Sequence, residues 1–210
     1  MLRTAVIIDY QNMHITGSQR FWPRENPRKH RLHPLKYAET LLSFRNSRVP
    51  EEALIAALET VEVYRGLPSS ELDAEDNARN LADQERWSRD PRVKVIHRAL
   101  KYVLLNKTAQ HVNPQRYVSK EEKGIDVLCA LAVVRNAAAG NIDLVILASH
   151  DSDLEPAIEE AVRIAPGTKV ETASWFNPEF KHTRSKLNAK TPIAIWNTAL
   201  GRDHYLASSD

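Results

Sequence analysis

The sequence predicts an α/β fold, a three-layer α/β/α sandwich around a central, mostly parallel sheet. Three observations predict it. Short continuous apolar runs alternate with segments of helical periodicity, and turn residues bound the runs. Apolar residues make up 42% of 210, enough to bury a sheet on both faces.

Taken in order, Ala5-Val6-Ile7-Ile8 is a β-branched run stopping at Asp9, a buried strand. Leu35, Ala38, Leu41 and Leu42 recur at helical spacing, which predicts a helix over 35–44. Residues 58–64 form a second strand before Gly66-Leu67-Pro68, and Ala78, Leu81, Ala82 and Trp87 mark an amphipathic helix over 74–87. A third strand over 93–97 is introduced by Asp90-Pro91. After a polar stretch over 106–119, a helix over 125–139 stops at Gly140-Asn141. Then come a strand over 143–148, a helix over 153–165, a strand over 168–173 and a short sixth strand over 193–196. Neither a repeat nor a linker divides the chain. The expected organisation is one domain over 1–175 with an extension, 176–210, packing onto it.

Charged residues at 27% exclude a collagen-like, disulfide-stapled or disordered chain. The single cysteine, Cys129, lies inside Val127-Leu128-Cys129-Ala130-Leu131 and forms neither an internal disulfide nor a CxxC zinc site; a core role is expected. At the start of the chain, Asp9 interrupts the apolar run a signal peptide would continue, and no apolar segment approaches the roughly 20 residues that span a bilayer. These features predict a cytoplasmic protein without membrane partners.

The net charge of +2 conceals alternating blocks. Residues 14–50 and 91–123 each carry eight Lys and Arg against two acids, whereas 51–90 carry four against eleven and 124–175 three against eight. In the first basic block, Arg20, Arg24, Arg28, Lys29 and Arg31 interleave with Phe21 and Trp22. In the second, Lys94, Arg98, Lys101, Lys107, Arg116 and Lys120 accompany Tyr102 and Tyr117. Cations with stacking surface suit single-stranded RNA. Phe21 and Trp22 equally suit a plug that packs the loop down.

Four acids fall where open parallel sheets bind ligands, beyond the carboxyl ends of strands. Asp9 closes the first strand, Asp151 and Asp153 follow the strand ending at Ala148, and Asp126 opens a helix after Lys123-Gly124-Ile125. They share one edge if the first strand neighbours the strand over 143–148. Each also has an ordinary use. Asp126 favours a helix N-terminus, and Asp153 or Ser152 caps a helix with Pro156 in its first turn. Asp9 has no capping duty. Acids gathered in one crevice repel unless a divalent cation neutralises them.

Asp9-Tyr10-Gln11-Asn12, Lys123-Gly124-Ile125-Asp126 and Ala148-Ser149-His150-Asp151-Ser152-Asp153-Leu154 resemble, in order, the three motifs of the NYN domains, a family of PIN-like nucleases. The resemblance spans about residues 4–174. It implies a metal-dependent ribonuclease, in most cases an endonuclease, using Mg²⁺ or Mn²⁺ and leaving 5′-phosphate and 3′-hydroxyl ends. Asp9, Asp126 and Asp151 would be the metal ligands, Asp153 a fourth acid, and Asn12 a polar group for substrate or bound water. From the charge blocks, and not from the resemblance, Arg24, Arg28 and Lys29 are expected to contact RNA; Ser149 is a further substrate-binding candidate, and Lys123 suits either a phosphate contact or a solvated lysine at a helix end. Two departures stand out: His150 replaces glycine, which strains the turn if it needs a positive φ, and Leu154 replaces phenylalanine.

Two rivals remain. A phosphatase-like hydrolase with Asp9 as nucleophile calls for a second acid two residues on, where Gln11 stands. An RNA-binding or scaffold protein would keep the fold without activity. The tail residues Trp196, Leu200, Tyr205 and Leu206 suit either a strand extension or an interface, such as that of a homodimer.

Overall fold

A computed structural model describes residues 1–104, 117–180 and 186–210. Its centre is a six-stranded sheet of order β3-β2-β1-β6-β7-β8, parallel throughout. The strands are β1 (Leu2–Asp9), β2 (Ala56–Leu67), β3 (Val93–Ala99), β6 (Leu144–Ala148), β7 (Lys169–Trp175) and β8 (Asn197–Leu200). A separate antiparallel pair, β4 (Lys101–Leu104) and β5 (Tyr117–Glu121), stands beside it. The helices are α1 (Tyr10–Phe21), α2 (Pro34–Asn46), α3 (Ala74–Trp87), α4 (Ile125–Ala138), α5 (Glu155–Ile164) and α6 (Arg202–Ala207).

The strand period of two divides the core into two layers. Val6 and Ile8 of β1, with Leu144, Ile146 and Ala148 of β6, face Met13, Tyr37, Leu41 and Tyr205. Ala5 and Ile7, with Val145 and Leu147, face Cys129, Ala132, Val133 and Ile158. Helices α1, α2, α3 and α6 therefore cover one face, and α4 and α5 the other. This is the expected three-layer sandwich, with Cys129 a fully buried core residue. A buried ion pair from Arg45 to Glu171, at 2.7 and 2.9 Å, ties α2 to β7.

Several elements differ from expectation, among them β4 and β5, which stand where no strand was expected, β5 beginning inside the stretch read as polar. Residues 10–21, to which the sequence pattern assigned no element, form α1. Its core face includes Gly17, Ser18 and Arg20 beside Tyr10, Met13 and Phe21, so its apolar stripe is diluted by small and charged residues. The last strand begins at Asn197, and Ile193 and Trp196 are 67% and 48% exposed. Leu200 and Tyr205 are buried while Leu206 is exposed, so the tail completes the sheet edge and adds an aromatic anchor. Among the described residues, no helix is long and apolar enough to cross a membrane.

Candidate functional site: an acidic cleft at the strand crossover

Strands β1 and β6 are parallel neighbours, Ile8 pairing with Ala148. From β1 the chain builds outward through β2 and β3, with helices on one face. It then returns to the other side of β1 through α4 on the opposite face. The β1–β6 boundary is thus the switch point of the sheet, where a crevice opens beyond the strand ends. A cleft of about 480 Å³ lies there, lined by Asp9, Asn12, Glu122, Lys123, Asp126 and Asp151 among others.

Asp9 is the buried member, at 5% exposure. Its Oδ2 accepts the Ser149 hydroxyl at 2.9 Å, and Ser149 Oγ accepts the Asp151 backbone N–H at 3.0 Å. One hydroxyl thus fixes both acidic loops. Burial pushes the Asp9 carboxyl up to about 7, against the Ser149 hydrogen bond, and nearby Glu122 and Asp151 add to the rise. Asn12 Oδ1 accepts the His150 N–H at 2.8 Å and braces the loop after β6.

Asp126 reaches the cleft because Gly124 turns the chain into α4 at φ 75°, a left-handed conformation suited to glycine. Asp151 is half-buried, and its Oδ1 accepts the Asp153 N–H at 3.0 Å. Lys123 stands at the rim and pairs with Glu121 at 3.2 Å.

Glu122 escaped the sequence reading. It accepts the Gly66 N–H at 2.5 Å, and burial raises its carboxyl against the pull of that bond and of Arg65. A Cβ on Gly66 would lie 2.6 Å from Glu122 Oε1, so the glycine admits this acid. The available signal was its place directly before Lys123-Gly124-Ile125-Asp126.

Several expected site residues lie elsewhere. Asp153 is exposed and borders an apolar surface with Asp126, Val127 and Leu131 rather than the cleft. Ser149 has no exposed surface, so it positions Asp9 and Asp151 instead of touching substrate. Arg24, Arg28 and Lys29 are exposed outside the cleft; Arg28 pairs with Asp76 at 2.8 Å and Lys29 with Glu25 at 3.7 Å. Arg20 is buried and donates to the Trp175 carbonyl.

Phe21 and Trp22 are buried in an aromatic cluster with Tyr205, Trp22 stacking on His30 at 4.0 Å. They are the plug, not a stacking platform. In the second basic block, Lys94, Arg98 and Lys101 are exposed, Arg98 crossing Gly124, while Lys120 pairs with Asp73 at 2.9 Å. Lys107 and Arg116 lie outside the described residues.

His150 is a structural residue. Its Nε2 accepts the Trp175 N–H at 3.0 Å, and burial lowers its pKa to about 3. No non-glycine residue among those described has a positive φ, so the histidine strains nothing.

The donor set is all oxygen and chiefly anionic, which suits a hard divalent cation. Burial raises the Asp9 carboxyl, and the neighbouring Glu122 and Asp151 add to the rise, as acids gathered without a counter-charge do. Among the described residues, no three His, Cys, Asp or Glu side chains are already arranged to hold a metal ion. The residues fit such an ion in kind, and ligation calls for side-chain movement.

No protein-family model matches the chain, and no curated protein is similar to it. It is similar to the crystal structure of a protein of unknown function, VPA0982, from Vibrio parahaemolyticus RIMD 2210633. The TM-score is 0.51 at 14% identity, covering 96% of this chain and 94% of that one. At that identity the likeness is one of fold.

Proposed function

We propose that the protein is a metal-dependent ribonuclease of the NYN type, hydrolysing RNA phosphodiesters in the cleft at the β1–β6 boundary. One observation carries this reading: Asp9, Glu122, Asp126 and Asp151, from three separate stretches of chain, line a single crevice at the switch point of the sheet. Mg²⁺ or Mn²⁺, when bound among such oxygens, polarises a phosphate and acidifies an attacking water.

The chain's own residues divide the remaining work. Asp9, held by Ser149 and the Asn12 backbone, is the rigid anchor. Asp126 and Asp151 are half-exposed, and Asp151 keeps one carboxylate oxygen on the Asp153 N–H, leaving Oδ2 for the cleft. Asn12 spends its Oδ1 on His150, which leaves its amide N–H groups for the substrate. Lys123 offers a cation at the rim for a non-bridging phosphate oxygen. A free, buried Cys129 accords with work in the cytoplasm.

The test is cleavage of a labelled single-stranded RNA with Mn²⁺ or with chelator, comparing wild type with Asp9→Asn and Asp151→Asn. Both substitutions should lower the rate at least about 100-fold, the scale at which removing a principal electrostatic group acts. Unchanged cleavage in both variants overturns the site. RNA binding without metal-dependent cleavage favours the scaffold reading.

A further inference from the structure

A second cavity, about 550 Å³, opens beside the acidic cleft, and Gln11 and Ile15 of α1 line both. Its walls carry the opposite charge. Arg28, Arg31, Arg65, Arg79 and Lys120 line it, against Asp76 as the lining acid.

The counter-charges are thinly shared. Asp76 serves Arg28 at 2.8 Å, Arg79 at 3.2 Å and Lys120 at 3.3 Å. Behind the wall, Asp83 serves Arg31, Arg65 at 3.3 Å and Arg86 at 3.3 Å. Arg79, Lys120 and Arg86 each reach a further carboxylate, in Glu75, Asp73 and Asp210. Arg28, Arg31 and Arg65 divide Asp76 and Asp83 among them.

Arg65 is the extreme case. It is 8% exposed, with its guanidinium 4.4 Å over the Tyr10 ring and 5.3 Å from that of Trp87. Among the described residues its buried Nε–H has no hydrogen-bond partner, and its ion pair with Asp83 is long. The Nε–H is one of the guanidinium's five donors, and burying a donor unmet is costly. A buried guanidinium so placed, lining a cavity with Arg28, Arg31, Arg79 and Lys120, is suited to recognise an anion.

Burial also selects the anion's shape. A ligand meets Arg65 only by projecting into the cavity, whereas a diester backbone crossing the surface stays near Arg28, whose side chain is 62% exposed. A phosphate monoester projects, carries close to two charges at neutral pH and offers three terminal oxygens to forked guanidinium donors. We propose that this cavity is a subsite for a phosphate monoester, the terminal phosphate of a strand whose next phosphodiester enters the acidic cleft. The link to the strand rests on the ribonuclease reading; the phosphate contacts do not.

The experiment is calorimetric titration of the full chain in EDTA, so that divalent ions play no part. The ligands are a tetraribonucleotide with a 5′-phosphate, the same with a 3′-phosphate, the unphosphorylated twin, and adenosine 5′-monophosphate. One phosphorylated end should bind at least about tenfold tighter than the unphosphorylated twin, and which end does so sets the strand polarity. Arg65→Lys, which keeps the charge and loses the fork, and Arg28→Gln, at the exposed rim, should each erase most of that preference. Asp9→Asn should keep it. Equal binding of all three oligonucleotides, or full preference in a folded Arg28→Gln protein, overturns the proposal. A mononucleotide binding as tightly as the oligonucleotide supports the phosphate subsite and overturns its assignment to a strand end. Absence of cleavage in Mn²⁺ alongside an intact preference would fell only the ribonuclease reading.

Discussion

The acidic cleft and the basic cavity lie on either side of the first turns of α1, and each is under-compensated with the opposite sign. In the cleft, burial raises Asp9 and Glu122, and like charge adds to the rise at Asp9. In the cavity, burial lowers Arg65 and His14, and the surrounding arginines add to the fall at His14. The two regions meet at one point, where Arg65 pulls the Glu122 carboxyl down against its burial. Elsewhere α1 keeps them apart. Stability alone favours neutralising such groups against each other. Their separation suits a surface that takes a cation on one side and an anion on the other.

The comparison breaks if carboxylates in the two regions behave alike. Asp83→Asn removes the counter-charge shared by Arg31, Arg65 and Arg86. It should destabilise the protein by about 3–5 kcal/mol in urea unfolding, as stranded buried charges do. Asp9→Asn should act in the other direction. The unfolded chain ionises Asp9 near 3.8 and the folded chain only near 7, so stability falls as pH rises between those values. At pH 8 the substitution should therefore stabilise the metal-free protein by roughly 2–4 kcal/mol. A loss of stability there would refute the uncompensated cleft.

Acid titration sharpens the contrast. His14, His97 and His150 are lowered from 6.5 to about 4, about 4 and about 3, chiefly by burial. Below pH 6.5 the unfolded chain takes up these protons before the folded chain does, so stability falls as pH drops toward 4. Each site contributes a slope of up to about 1.4 kcal/mol per pH unit. Asp9 opposes them by one proton over the same range. His14→Gln should flatten the loss of stability and Asp9→Asn should steepen it, both readable as melting temperature against pH.

The smallest expected effect is at Gly66. A Cβ there would press on Leu100 Cδ2 and meet Glu122 at Oε1, 2.6 Å away, and at Cγ, 2.9 Å away. Gly66→Ala should cost about 1 kcal/mol and weaken Mn²⁺ binding by displacing Glu122. Unchanged Mn²⁺ affinity would remove Glu122 from the site.

Much of this arrangement was legible in the sequence because it is local. Buried strands must be continuous apolar runs, so β1 and β6 could be read directly, and with them the position of Asp9 and of the Ser149–Asp151 loop beyond the strand ends. Helix α1 was not legible, because close packing against Trp175 and Tyr205 replaces large apolar residues by Gly17 and Ser18. Nor was Glu122, whose part depends on a glycine 56 residues away.

The charge blocks show where local reading ends. Net charge by segment is a property of the chain, and the alternation of basic and acidic stretches stands in the sequence. Which charges meet is decided by the sheet order, which lays the acids of α3 against Arg28, Arg31 and Arg65. Arg28 and Arg31 of the first basic block are thereby paired and brought with Arg65 to line one cavity, while Arg24 and Lys29 stay exposed outside the acidic cleft. The sequence by itself determined the fold class, the strand ends and the acids that follow them, since backbone periodicity and burial act over a few residues. Only the tertiary structure decided which acids share a cleft, which aromatics are core and which arginines line one cavity. Those outcomes depend on distances between groups far apart along the chain.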